Sequence, residues 1–356
     1  MTENLTLAEI EVLARTMTIK TMLAGIPIGG AKGGVSLRAK KYDRDDLMRR
    51  VALAIGPYLR QRRYFMGTDL GFTESDADYL YECSGSRLRL FAGRIRVGEA
   101  CAEGILASLE YLQHNDICGF DERTVALEGF GRIGSATAQL LSSEGFRIVA
   151  ISNLAGTLYD PRGLNVEELL SIRSGTPEAI LSAYSRNHKS VIVLPKEALY
   201  SIETEILIPG ARTLVIDDEE AEQVKAKIVC PISNAPVTSQ GERKLASRGI
   251  VSVPDVISNS GGLIASFAQH LGANTVQTKA IISNIIAQNL DHVFAGLTDR
   301  EVPKRLAVAI AQERFEKMEK AEKIEMLRFL SPWIRTLGSN ALLFGFKEYL
   351  SLRMGG

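Results

Sequence analysis

The sequence is poor in the residues that build covalent or metal-bound scaffolds. Its 356 residues include four cysteines, Cys83, Cys101, Cys118 and Cys230, with no C-x-x-C pair, which excludes a zinc ribbon or a disulfide framework and leaves reduced thiols. The four histidines, His114, His188, His270 and His292, lack metal-ligand spacing, so no metal is expected. Charge of one sign is not in excess: 42 basic side chains balance 42 acidic ones, leaving no positive field for a phosphate backbone or an anionic lipid. Nucleic acid and membrane are therefore set aside as partners. Apolar runs such as Ile206 to Pro209 are too short to cross a bilayer, and Met1-Thr2-Glu3-Asn4 has acid where a signal peptide has lysine, so a cytoplasmic protein is expected.

Two grammars divide what is present. In the first, Thr6 and Glu9 form a capping box before the helical series Ile10, Ala14, Met17, which breaks at a glycine-rich loop, Gly25 to Gly34. A second helix is predicted from Asp43 through Leu59, and the apolar Tyr64-Phe65-Met66 leads to Asp69 in a turn. Thr73 with Asp76 caps another helix. From Gly98 onward strands and helices alternate. Thr124 to Glu128, Ser135 to Glu144 and Arg147 to Ser152 read as β-α-β, which predicts a parallel sheet. Runs at Val191 to Leu194, Ile206 to Ile208, Ile228 to Cys230 and Ile250 to Val253 extend that sheet. After Gly261-Gly262 the chain turns helical, with a long amphipathic stretch from Val302 to Leu330.

Between the first strand and helix of that unit lies Gly129-Phe130-Gly131-Arg132-Ile133-Gly134. In this context G-x-G-x-x-G is a dinucleotide signature: the glycines permit a tight turn, close approach of a pyrophosphate, and helix-on-sheet packing. The helix start adds unpaired N–H groups for phosphate. An NAD-preferring site places Asp or Glu at the end of the second strand, whereas this chain has Asn153. A neutral amide does not repel a 2'-phosphate and Arg132 lies in the turn, so either NAD or NADP remains open. The alternative is that Asn153 only caps its strand and Arg132 is a solvated charge.

Lys20 closes the first helix and Lys32 sits within Gly29-Gly30-Ala31-Lys32-Gly33-Gly34. A lysine ringed by glycines lets a substrate approach the backbone, which suits proton transfer. A phosphate-binding P-loop is excluded because Ala31 precedes the lysine and Gly33 follows it. Asp69 alone would read as a turn former.

Taken together, Met17-Thr18-Ile19-Lys20, Ala24 to Val35, Asp69-Leu70-Gly71, Gly129 to Gly134, Asn234-Ala235-Pro236-Val237-Thr238, and Pro254-Asp255 with Asn259-Ser260-Gly261-Gly262 resemble, in order, the glutamate/leucine/phenylalanine/valine dehydrogenase family. The resemblance implies a Rossmann-type doubly wound dinucleotide-binding domain over 98–320. A smaller α/β substrate and oligomerisation domain over 1–97 would precede it and a helical extension over 321–356 would follow. It implies that Lys20 holds the substrate α-carboxylate, Lys32 activates water and stabilises the carbinolamine, and Asp69 shuttles protons. Asn259 would lie near nicotinamide and substrate, and Asn234 in the loop lining the nucleotide cleft. Ser266 stands where glutamate-specific members have a serine for the distal carboxylate, or else only bonds its own helix.

Two departures accompany the resemblance. The segment that ordinarily precedes the first matched helix is short here, so a truncated first domain is expected. Cys101-Ala102-Glu103-Gly104 stands where the family has Thr-Gly-x-Gly facing the nicotinamide amide. Two functions are therefore expected in competition. One is an NAD- or NADP-dependent oxidative deamination of an L-amino acid, glutamate first, to a 2-oxo acid and ammonia, by a homo-oligomer. The other is a non-catalytic nucleotide-binding subunit forming a hetero-oligomer with a full-length dehydrogenase.

Overall fold

The computed structural model describes residues 5–37, 42–61, 63–67, 71–85, 95–211, 213–297, 302–320 and 333. Before the sheet come α1 (Leu7–Leu23), α2 (Arg44–Arg60), α3 (Glu74–Cys83) and α4 (Val97–His114). Both expected capping boxes form: Thr6 and Glu9 at α1, Thr73 and Asp76 at α3. Asp76 also ties α3 to α2, because Arg44 Nε donates to its Oδ1 at 3.0 Å. Burial pushes the Asp76 carboxyl up, but the Arg44 guanidinium and the Thr73 amide and hydroxyl hold it down at about 2. A small core of Met48, Ala52 and Leu80 fills the angle between α2 and α3.

The second part runs β1 (Thr124–Glu128), α5 (Arg132–Ser143), β2 (Arg147–Ser152), β3 (Thr157–Tyr159), α6 (Val166–Ile172), α7 (Pro177–Asn187), β4 (Ile192–Leu194), β5 (Ile206–Ile208), α8 (Asp218–Gln223), β6 (Ile228–Val229), α9 (Ser239–Ser247) and β7 (Val251–Ser252). The strands form one seven-stranded sheet in the order β4-β3-β2-β1-β5-β6-β7. From β2 through β7 by way of β1, neighbours are parallel, and all five residues of β1 are buried, as a strand covered on both faces requires. The parallel expectation is corrected at one edge. There β3, which no apolar run announced, pairs antiparallel with β2 and with β4. Chain order reverses between β1 and β5, so their carboxyl ends open the crevice in which open α/β sheets bind ligands.

The glycine turn is built as its spacing predicts. Gly129 has φ +87°, and a Cβ on Gly134 would lie 2.0 Å from the Gly129 carbonyl, so α5 can start this close to β1 only without a side chain there.

Helices α10 (Asp255–Ser258), α11 (Gly261–His270), α12 (Thr275–Ala295) and α13 (Pro303–Lys320) complete the described chain, and none of its helices is long and apolar enough to cross a membrane. They return to the first part. The half-buried Arg314 of α13 donates from Nη1 to the carbonyl of Leu23 at 2.8 Å and to Asn289 Oδ1 at 2.9 Å, while Asn289 Nδ2 also donates to Leu23 at 2.8 Å. Trp333, fully buried and edge-on to Phe267, donates its indole N–H to the Ala24 carbonyl at 3.0 Å. These donors occupy carbonyls at the end of α1 that the helix leaves unpaired, with a cation at its negative pole.

Arg314→Met is expected to lower stability by about 1–3 kcal/mol, the usual cost of a charged hydrogen bond lost from a buried acceptor, in urea unfolding. Amide exchange at residues 20–24 should accelerate; unchanged exchange there would show that α1 does not depend on α13.

Candidate active site

Lys20 lies in the last turn of α1, where the helix becomes buried, and only 6% of its surface is exposed. Its Nζ donates to Asn234 Oδ1 at 2.6 Å, across 214 positions of sequence. Asn259 closes the same node: its Nδ2 donates to the Ser233 carbonyl at 2.8 Å and to Asn234 Oδ1 at 3.2 Å. Among the described residues, Asn259 Oδ1 has no hydrogen-bond partner although it is buried. A buried orphan acceptor beside a buried ammonium marks a place where a polar ligand would complete the bonding.

The loop carrying Asn234 is held in an uncommon conformation. Ala235 has φ +46°, a left-handed geometry that costs a residue with a side chain on the order of 1 kcal/mol. Asp255 Oδ2 accepts the Ala235 N–H at 2.7 Å, and Lys304 from the start of α13 lies 2.8 Å from Asp255 Oδ1. Next to this pair Glu242 of α9 is 4% exposed. Burial pushes its carboxyl up to about 7, opposed by the charge of Lys304. None of Glu242, Asp255 or Lys304 was assigned a role from sequence. Asp255 stood in a matched motif, but nothing local ties it to Ala235.

Lys32 is half-buried in its glycine loop. The loop doubles back on α1: the Gly30 N–H donates to Thr18 Oγ1 at 3.1 Å, and a Cβ on Gly30 would lie 2.1 Å from the Thr18 nitrogen. Glycine at that position therefore lays the segment bearing Lys32 along the helix bearing Lys20. Asp69 lies outside the described residues. Cys101 is buried in α4, and burial, opposed by the Gly262 N–H and the charges of Lys20 and Arg132, pushes its thiol up. Position 101 therefore presents a neutral thiol to the neighbourhood of Lys20. Ser266 is exposed on α11 and donates to the Gly262 carbonyl at 2.9 Å.

At the nucleotide turn, Phe130 and Ile133 pack half-buried on the main core, and Arg132 is exposed. Gly131 has no atom within 4 Å of where a Cβ would stand, so its backbone faces open space. The start of α5 has no side-chain cap, leaving its first N–H groups for a ligand. Glu128, at the tip of β1, is buried and accepts the N–H groups of Gly210 and Ala211 at 3.2 Å each and the Tyr200 hydroxyl at 3.1 Å. It pins the loop after β5 against the crevice, a role the motif did not disclose.

The family model described as Glutamate/Leucine/Phenylalanine/Valine dehydrogenase matches residues 94–325, and one described as Glu/Leu/Phe/Val dehydrogenase, dimerisation domain, matches residues 1–84. The chain is 32% identical over 288 residues to the glutamate dehydrogenase of Thermotoga maritima, covering 74% of this chain and 66% of that protein. It is 27% identical over 275 residues to the NADP-specific glutamate dehydrogenase A1 of Halobacterium salinarum, covering 73% and 64%. It thus spans just under two thirds of the length of these relatives. In fold it is similar to a hetero-hexameric glutamate dehydrogenase from Thermus thermophilus, with TM-score 0.75 and 24% identity over 91% of this chain and 80% of that one.

The Glu242 carboxyl gives a pH test of the node. Its folded value of about 7 exceeds the ordinary 4.5, so the folded protein binds the extra proton and stability falls as pH rises from about 4.5 through about 7. Thermal melts should show Glu242→Gln gaining on the unsubstituted protein between about pH 5 and about pH 8; a constant gap would mean that Glu242 does not titrate as stated.

Proposed function

The chain belongs to the glutamate/leucine/phenylalanine/valine dehydrogenase family, and on that premise we propose that it catalyses NAD(P)-dependent oxidative deamination of an L-amino acid, glutamate first, to the 2-oxo acid and ammonia, or the reverse. The observation that carries this reading is the buried Lys20 ammonium joined to Asn234 and Asn259 beside an orphaned acceptor. Residues 98–320 act as the nucleotide-binding domain and 1–97 as the substrate and oligomerisation domain; the helical extension expected over 321–356 lies, Trp333 apart, outside the described residues. The assembly is a homo-oligomer.

The site residues divide the work by charge. Lys20 takes the α-carboxylate, because a buried ammonium held at 2.6 Å by the neutral amide oxygen of Asn234 keeps its positive charge for an anion. Lys32, on the loop laid along the same helix, polarises the water that adds to the imine carbon. Asp69 takes and returns protons at the substrate nitrogen, so that ammonia leaves as the carbonyl forms. Asn259 orients the substrate edge through its free Oδ1, and Ser266 meets a side-chain carboxylate by giving up its bond to Gly262.

A dinucleotide fits the residues at the crevice: open backbone at Gly131, uncapped N–H groups at the start of α5, and a loop fixed by Glu128. When bound, it supplies the acceptor for the hydride released from the substrate α-carbon. Cys101 and Asn234 line the same space, and the neutral thiol at 101 offers a weaker hydrogen bond than a hydroxyl would.

Purified protein with L-glutamate and NADP or NAD should generate reduced nicotinamide absorbance. Lys32→Ala should lower kcat by about a hundredfold or more with nucleotide binding retained, as loss of a proton-transfer group does. Lys20→Ala should chiefly raise KM for the amino acid. Nucleotide binding without turnover of any amino acid by the unsubstituted protein would replace this reading with that of a non-catalytic subunit.

A further inference from the structure

In this fold, discrimination between NAD and NADP is decided where the second strand ends: a carboxylate there binds the ribose 2'-hydroxyl, and a nearby arginine accommodates a 2'-phosphate. Here β2 ends at Ser152 and is followed by Asn153, whose side chain is turned onto its own loop and the α6–α7 connection. Its Oδ1 accepts the N–H groups of Ala155 at 2.8 Å and Gly156 at 3.2 Å, and its Nδ2 donates to the Pro177 carbonyl at 3.0 Å. The tip of β2 therefore offers no negative charge, and its amide is fixed in place by three protein partners.

The same bond to Pro177, the first residue of α7, draws the α6–α7 connection, residues 173–176, against the end of β2. Arg173 heads that connection. It is exposed, and its Nη1 donates to Ser135 Oγ at 2.5 Å, on the buried side of the first turn of α5. Among the described residues it forms no ion pair, and Glu178, the nearest acid along the connection, is not bonded to it. One guanidinium thus stands on the first turn of α5, in a connection that Asn153 ties to the end of β2, and of its five donors one is spent on Ser135.

Arg132, the arginine that the glycine turn advertises, opens α5 where that helix meets α4. Its carbonyl stands 2.8 Å from where a Cβ on Gly98 of α4 would be, and its charge acts on the Cys101 thiol. The charge of Lys20 acts on the same thiol.

We propose that Arg173 is the specificity-determining residue for the cofactor: it binds the 2'-phosphate of NADP, while Arg132 serves the part of the dinucleotide that NAD and NADP share. The proposal rests on the dinucleotide-binding reading of Gly129 to Gly134 and does not require turnover.

Calorimetric titration of the full chain with NADPH, NADH and adenosine 2',5'-bisphosphate tests it without catalysis. NADPH should bind about tenfold or more tightly than NADH, as expected of a charge-assisted guanidinium–phosphate contact. Arg173→Ala should remove that preference by weakening NADPH and the bisphosphate while leaving NADH within about twofold, and Arg173→Lys, which keeps the charge, should restore part of it. Arg132→Ala should weaken both dinucleotides alike. Preference for NADH, equal loss of both in Arg173→Ala, or selective loss of NADPH in Arg132→Ala would each overturn the assignment while the dinucleotide reading stands. Binding of neither dinucleotide would overturn both.

Discussion

The contact between the Lys20 ammonium and the Asn234 amide is the constraint around which the rest is arranged. A cation with 6% of its surface exposed is costly unless acceptors surround it, and the one at 2.6 Å belongs to a loop more than two hundred residues away. Both partners must therefore arrive from opposite parts of the chain in fixed positions. The end of α1 is fixed by Arg314, Asn289 and Trp333, and the loop by Asp255 on the strained Ala235. A strained backbone held by a buried carboxylate is a form of preorganisation: the surrounding bonds, rather than the ligand, set the geometry.

Much of this was legible in the sequence wherever the signal was local. The capping boxes at Thr6 and Thr73 and the strand–turn–helix around Gly129 needed only neighbours to declare themselves, and each stands where its residues place it. The antiparallel edge was not legible, because β3 is three residues long and its pairing with β4 spans an inserted pair of helices. The group of Glu242, Asp255 and Lys304 was equally silent, since its members come from three helices and none has a distinctive local pattern. Arg314 reads in sequence as one charge on an amphipathic face, and only its burial against α1 gives it a task.

Position 101 illustrates how a departure from a family pattern can be physically mild. The thiol is buried, takes an N–H from Gly262, and is kept protonated chiefly by its surroundings. It introduces no charge into a neighbourhood that already contains Lys20 and Arg132. What changes is the quality of one hydrogen bond, because sulfur is a poorer donor and acceptor than a hydroxyl oxygen.

Helix α13 touches both halves of the crevice, through Lys304 at its start and Arg314 ten residues along it. Ten residues of helix span about 15 Å, stiff on that scale. A rod clamped at both ends sets the spacing between the end of α1 and the start of α10. The gap a ligand must fit is thus gauged by a segment that lies outside the residues assigned to the chemistry.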